Sequence, residues 1–300
     1  MLLPTVPNSP LASTEGEMAM GRVELRKNIQ LDFVENGALD PALAVYDDDY
    51  QNSQAHSPQF IADMAAVLET LKKRFPRNSR LVEVGCGKGD FLEMVVRDGH
   101  FDAVGFDTTY QGRNERVQKR YLTDADRLQA DIVVLRHVLE HIHRPHLFLR
   151  TLQRVCGKAA IYIEVPAYDW ILENQAFFDI TYEHVNYFSR KALLNLFDGN
   201  VLADGLLFGG QYRFIIAGLD HLSSAFAEAY ESGPWDALDF EQLFPQLTAK
   251  ISEVDRAASR AQKVYVWGAA TKGCMFLVHC ARRNTLIDRI AFAVDVNPGK

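Results

Sequence analysis

Cysteine is scarce in this chain, four in 300 residues, and no two of them form a Cys-x-x-Cys pair. Cys86, Cys156, Cys274 and Cys280 stand far apart, so neither a zinc ligand set nor a disulfide framework is indicated. A reducing cytoplasm is the expected location. Positive charge is also short, with 32 Lys and Arg against 39 Asp and Glu and a net charge of −7. That excludes the electrostatic footprint of a nucleic-acid binder, and no basic run suggests an anionic membrane surface. No apolar run reaches the roughly 20 residues that cross a bilayer. The opening residues, MLLPTVPNSPLASTEGEMAM, lack the charged start and long apolar stretch of a signal peptide. What remains is an ordinary globular composition, 48% apolar and 24% charged, long enough for one sizeable core and a smaller unit.

Residues 1–20, rich in Pro, Ser and Thr, read as a flexible tail. Residues 21–56 show scattered apolar positions without a clear period, and contain the acidic turn YDDDY at 46–50. From Ser57-Pro58 onward Ile61, Met64, Ala65, Leu68, Leu71 and Phe75 recur at helical spacing until Pro76. Strands and helices then alternate within residues 57–220: LVEVG, the helix DFLEMVVRDG, AVGFD, DIVVLRH, the helix RPHLFLRTLQRVCG and AAIYIEVP. Alternation with uninterrupted apolar strands predicts an α/β fold whose mostly parallel sheet is covered on both faces. NVLADGLLFGGQYRFIIAGL breaks the alternation and reads as two strands around Gly209-Gly210, an antiparallel pair closing the sheet. Residues 221–262 read as a helical linker. Residues 263–300 hold one further strand–helix–strand unit, VYVWGAATKG to IAFAVDV. Two strands alone make no stable sheet, so this unit either packs on the main domain or stops part-way through a second one.

The strand-to-helix turn VEVGCGKGD (82–90) carries three alternating glycines, Gly85, Gly87 and Gly89, which let backbone approach a ligand closely. A dinucleotide fingerprint would place its last glycine where Asp90 stands. Glu83 precedes the turn and Asp90 follows it, and two carboxylates beside a pyrophosphate would repel it. They suit a ligand that carries an ammonium and a sulfonium, as S-adenosylmethionine (SAM) does. Asp107 ends AVGFD, where an acid accepts both hydroxyls of a ribose. SAM and NAD share that acid. An NAD(P)-dependent oxidoreductase or a non-catalytic nucleotide-binding module therefore stay as alternatives, with Asp90 arguing against both.

On these residues the chain resembles the SAM-dependent methyltransferases of the Rossmann-like class. VEVGCGKGDFL matches their first motif, AVGFD their second, and DIVVLRHVLEHIHRPHLFL (131–149) their fourth strand and following loop. The resemblance implies that Glu83, Gly85, Cys86, Gly87, Gly89 and Asp107 bind the cofactor, with Arg136 and His137 lying along it. It also makes Asp124, in LTDAD after the third strand, a candidate for the adenine edge. A narrower resemblance is to the three-domain C-methyltransferases that act on nucleotide-linked 4-keto deoxysugars. It rests on NGALDPALAVYDDDYQNSQAHSPQF (36–60), YEHVNYFS (182–189) and VYVWGAATKGCMFL…FAVDVNPGK. It implies that 21–56 is a lid over the methyltransferase domain and that 263–300 is the start of a second Rossmann-like domain. Family members continue past the point matching Lys300, so the chain is expected to be incomplete there. Two departures stand out. The family's N-terminal module holds zinc through Cys-x-x-Cys pairs, and Asn28 and Leu31 occupy the matching positions, so no metal is expected. The family's tyrosine three residues before the histidine of its Glu-His block is Thr181 here, with Tyr182 next to it.

Methyl transfer is an in-line displacement at a sulfonium methyl, so the enzyme must align a nucleophile and remove its proton. A carbon nucleophile beside a ketone also needs a donor to the developing enolate oxygen. Arg136, His137, Glu140 and His141 follow the buried run IVVL at the edge where such groups belong, and Glu183 and His184 follow in the next loop. The candidates for the chemistry are His184, His141, Glu183 and Tyr182. Glu164, closing the strand IYIE, and Lys272, in the turn GAATKG, are candidates for substrate, Lys272 as partner of a diphosphate at a helix start. Tyr50, Asn52 and Ser53 are candidates for a lid, while Tyr168, Trp170, Phe177, Phe178, Tyr187 and Phe188 read as core. The expected partner is a small molecule, a nucleotide sugar, with no nucleic acid and no membrane. An O- or N-methyltransferase acting on another small metabolite is the alternative that fits Thr181 without strain.

Overall fold

A computed structural model describes residues 1–8, 18–44, 46, 53, 55, 57–261, 263–283 and 286–295. Tyr50 and Asn52, most of the YDDDY turn, part of the N-terminal tail and Lys300 lie outside the described residues. The centre of the molecule is a seven-stranded sheet made of β1 (Arg80–Val84), β2 (Asp102–Phe106), β3 (Val117–Gln118), β4 (Ile132–Arg136), β5 (Ala160–Pro166), β6 (Val201–Leu207) and β7 (Tyr212–Gly218). Their order across the sheet is β6-β7-β5-β4-β1-β2-β3. All neighbours are parallel except β7, which runs antiparallel to both β5 and β6. The expected α/β sheet with an antiparallel closing pair is therefore the one observed.

The reason lies in the sequence of the middle strand. Ile132, Val133, Val134 and Leu135 of β4 are all fully buried, each contributing about 1.5–3 kcal/mol by leaving water. A strand apolar on both faces needs helices on both sides. These are supplied by α1 (Pro58–Lys72), α2 (Asp90–Asp98) and α3 (Pro145–Cys156). Pro58 and Pro145 sit at first helical positions, and Gly99 in the left-handed conformation ends α2. Asp90 and Glu93 in the first turn of α2 complement its dipole.

A second, four-stranded antiparallel sheet has no counterpart in the sequence expectations. Leu25–Asn28 and Phe33–Asn36 form its hairpin, flanked by Asn186–Phe188 on one side and Trp235–Ala237 on the other. Residues 25–36 thus share a sheet with the loop after β5. The region 221–262 is likewise not purely helical, since its helices Ser224–Ser232 and Leu247–Ala258 are separated by the strand Trp235–Ala237. Where the resembled family has a zinc-binding cysteine, Asn28 is fully buried and hydrogen-bonded in both directions. Its amide donates to the Ala229 carbonyl at 2.7 Å and accepts from the Leu31 N–H at 3.1 Å. Beyond them Val264–Trp267 and Ile290–Val294 form a parallel pair joined by the helix Thr271–Arg283. Among the described residues no helix is long and apolar enough to cross a membrane.

Candidate active site

The carboxyl ends of β1, β4 and β5 open onto a cavity of 520 Å³ lined by Glu83, Gly85, Arg136, His137 and Pro166. On one side is the glycine turn. Gly85 and Gly89 are held at φ 76° and 89°, and a Cβ on Gly85 would lie 2.4 Å from Val138 Cγ2. The turn is shaped for a backbone that comes close to a ligand. Asp107 braces it: Oδ2 accepts from the Gly87 N–H at 2.8 Å, while Oδ1 accepts from the backbone and hydroxyl of Thr109. Ser53 donates to Asp90 at 2.8 Å, bringing the segment before α1 onto the helix start. The buried Cys86 thiol is pushed well above its usual range by burial and the nearby Glu83 and Asp107 carboxylates, so it packs and does not react.

Glu83 lies in the same wall, 3% exposed, with one carboxylate oxygen that accepts no hydrogen bond among the described residues. Burial pushes it up to about 8, against the pull of Arg136. A buried acceptor without a donor, facing a cavity, calls for a donor that a ligand brings. An ammonium, which brings N–H donors, fits that position.

Across the cavity β4 ends in Arg136 and then His137, whose φ of 54° turns the chain out of the sheet. Arg136 pairs with Glu164 through Nε at 3.1 Å and Nη2 at 3.2 Å, and lies 4.9 Å over the Phe91 ring. Tyr162 donates to the same carboxylate at 2.9 Å, and His137 Nε2 approaches it at 3.0 Å. Burial opposes the charge on Glu164, yet Arg136 and His137 hold its carboxyl well below the usual range. His137 is pushed up to about 9 by Glu140 and Glu164, burial notwithstanding. This network corrects the substrate expectation for Glu164. It is fully buried beneath the cavity floor and anchors Arg136 and His137.

His141 and His184 stand 4.9 Å apart, ring to ring, and both line the cavity. They come from different loops, and Asn186 ties those loops together. Its amide donates to the carbonyls of Leu139 and Ile142, pinning the turn Leu139–His141 against the strand Asn186–Phe188. His141 Nδ1 is 2.9 Å from the Glu183 carbonyl and 2.9 Å from the Tyr46 hydroxyl. A carbonyl only accepts, so Nδ1 carries a proton. Burial, reinforced by His141, pushes His184 down to about 3, so it is neutral. Its backbone N–H donates to the Thr181 hydroxyl at 3.1 Å.

Five sequence candidates do not line this cavity: Gly89, Asp107 and Glu164, placed above, and Tyr182 and Asp124. Tyr182 is fully buried with its hydroxyl bonded to the backbone of Asp40, as acceptor from the N–H and donor to the carbonyl, and its ring presses on Gly21. It joins the N-terminal region to the loop after β5. Asp124 is exposed and paired with Arg154 at 2.7 Å, away from the cavity. The aromatic set expected as core does not line the cavity either.

Lys272 does line it, in the first turn of Thr271–Arg283, 3.9 Å from Asp179 and 5.1 Å above the Phe178 ring. Burial pushes Asp179 up to about 6 despite Lys272 and a hydrogen bond from Gln211. Asp179 was not among the sequence candidates, nor was the aromatic wall in which Phe60 stacks on Phe208 at 4.5 Å and Tyr212 meets His137 at 4.5 Å. Phe60 occupies a helical position, but its partner lies in a turn about 150 residues away.

Residues 54–200 match the family model described as a methyltransferase domain. These residues form a methyltransferase domain. The glycine turn, the buried Glu83 and the braced Asp107 all lie within this domain. No curated protein matches the sequence. Among solved structures, the chain is similar to the putative methyltransferase in a complex with the Trm112 activator from Haloferax volcanii, at 12% identity and TM-score 0.46, covering 58% of this chain and 98% of that one. It is also similar to a SAM-dependent methyltransferase from Aquifex aeolicus, at 15% identity and TM-score 0.41, covering 55% and 95%. A third is the Burkholderia thailandensis 1,6-didemethyltoxoflavin-N1-methyltransferase with bound S-adenosylhomocysteine, at 14% identity and TM-score 0.40, covering 56% and 79%.

Proposed function

We propose that this methyltransferase methylates a carbon of a nucleotide-linked keto-deoxysugar, with His141 and His184 handling the protons. One observation carries the reading: the glycine turn, the His141–His184 pair and Lys272 all line a single cavity. SAM supplies an electrophilic methyl on a sulfonium. Glu83, Gly85, Gly87 and Asp107 hold it, Glu83 toward its positive end and Asp107 toward its ribose. The Nε2 lone pair of His141 is the acceptor for a proton on the substrate, and Glu183 fixes that tautomer through its carbonyl. Neutral His184, beside it, donates or receives the proton in turn. Lys272 at a helix start provides a cation for a diphosphate. In this reading residues 21–56 cover the cavity as a lid, 263–300 supply the nucleotide side, and the reaction takes place in the cytoplasm. Small-molecule acceptors, not nucleic acid or membrane, are its partners.

A second reading, O- or N-methylation of another small metabolite, is favoured by Thr181, whose fully buried side chain leaves no phenol at that place. Both are tested by incubating the full chain with isotopically labelled SAM and a panel of 4-keto nucleotide sugars and simple hydroxylated acceptors. Label in a carbon-bound methyl of a keto sugar supports the first reading. Label only on oxygen or nitrogen supports the second, and the first is then wrong.

A further inference from the structure

Glu140 is a group for which acid–base chemistry leaves no use. It is 1% exposed and lines the cavity, and neither of its oxygens accepts a hydrogen bond among the described residues. Its ion-pair contact, His137 Nδ1, is 3.5 Å away. Nδ1 of His184 is likewise buried without a hydrogen-bond partner. Glu140, His141 and His184 bring one ligand atom each to within 4.8 Å of one another. We infer that Glu140, His141 and His184 form a binding site for a divalent transition-metal ion at the acceptor end of the cavity.

The donor set is two imidazoles and a carboxylate, the combination that leaves open positions for water or substrate. The outer contacts fit as well. A metal-bound histidine ordinarily donates its other ring N–H to a carbonyl or carboxylate, and His141 Nδ1 is 2.9 Å from the Glu183 carbonyl. A tetrahedral ion with bonds of about 2.1 Å needs ligand atoms about 3.4 Å apart, so modest side-chain rotations close the set. Asn186, fixing both loops, holds the backbone for it.

This inference rests on the reading of the cavity as the acceptor site and changes how that site works. An ion there binds the acceptor's hydroxyl or keto oxygen and takes up the negative charge that develops on it as the proton leaves. It supplies an enolate-stabilising group at that end of the cavity. With both imidazoles engaged, the departing proton goes to the Glu183 carboxylate. The carbon or oxygen electron pair then forms the bond to the methyl, and the sulfonium sulfur keeps the pair of the bond that breaks.

The test uses the full chain stripped with a chelator and titrated with cobalt(II), whose visible spectrum reports its ligands. The expected result is one cobalt bound per chain with a spectrum of low coordination number, and at least about a tenfold loss of affinity in both Glu140→Gln and His184→Ala. Glu140→Gln is isosteric, and its melting temperature separates lost binding from lost folding. His143→Gln, an exposed histidine outside the cavity, should bind as the parent does. Absence of bound cobalt, or cobalt held by both variants as tightly as by the parent, overturns the site. Chelated enzyme that transfers methyl at the full rate overturns the role in turnover. Cobalt bound at the site with no methyl transferred to any acceptor leaves the site standing and counts against the proposed function instead.

Discussion

Two strand-to-helix turns in this molecule use the same backbone device and present opposite charge. After β1, the Gly85 N–H donates to the Phe106 carbonyl on the next strand, and Asp107, just beyond that strand, accepts from Gly87. After Val264–Trp267, the Gly268 N–H donates to the Val294 carbonyl, and Asp295 accepts from Ala269 at 2.8 Å. The flanks differ. Glu83 and Asp90 border the first turn, Lys272 the second. The first strand is buried inside a seven-stranded sheet, whereas Tyr265 and Trp267 of the second are 49% and 77% exposed. Topology builds the turn, and in the proposed reading the residues on either side choose the sign of the guest: a cation for the first, an anion for the second.

The comparison breaks most visibly at the glycines. Gly85→Ala must place a Cβ 2.4 Å from Val138 at a positive φ. It should abolish SAM binding and cost about 2–4 kcal/mol of stability in denaturant melts. Gly268→Ala meets nothing within 4 Å and carries only the backbone strain of φ 104°, so it should cost about 1–2 kcal/mol and leave SAM binding intact. Equal effects would mean the two turns are not used differently. Next come the bracing acids. Asp107→Ala should weaken SAM about 100-fold by calorimetry, losing two charge-assisted hydrogen bonds, while Asp295→Ala should change it by less than about twofold.

The third difference is in pH. With its value near 8, Glu83 is protonated in the cofactor-free enzyme below that pH. A cationic ligand favours the carboxylate, so binding releases a proton. SAM affinity should therefore rise roughly tenfold from about pH 6.5 to about pH 8.5 and then level off. Glu83→Gln should flatten the profile, and an affinity that falls with pH would contradict the sign. The smallest effect belongs to Lys272, half exposed and screened. Lys272→Ala should raise the acceptor KM by about two- to fivefold with SAM affinity unchanged.

The legible parts were those whose signal is local. The period of Ile61 through Phe75, the apolar run of β4 and the glycines of the first turn each report on their own neighbours. The four-stranded sheet was not legible, because Phe33–Asn36 finds its partner at Asn186–Phe188 and Leu25–Asn28 at Trp235–Ala237. Nothing in either short segment announces a pairing across 150 or more residues. Tyr182 and Glu164 went the same way. A tyrosine beside a Glu-His pair and an acid at a strand end look chemical, until Asp40 takes the phenol and Arg136 the carboxylate. His141 and His184 were visible as residue types, but their closeness depends on Asn186, whose role is set by carbonyls more than 40 residues upstream.

The most direct test of the central claim is an equilibrium titration of the full chain with SAM and, separately, with NAD. The account predicts saturable SAM binding that Glu83→Gln and Asp107→Ala both weaken, and no binding of NAD to the first turn. Saturable NAD binding that depends on Asp107, with SAM ignored, would contradict it.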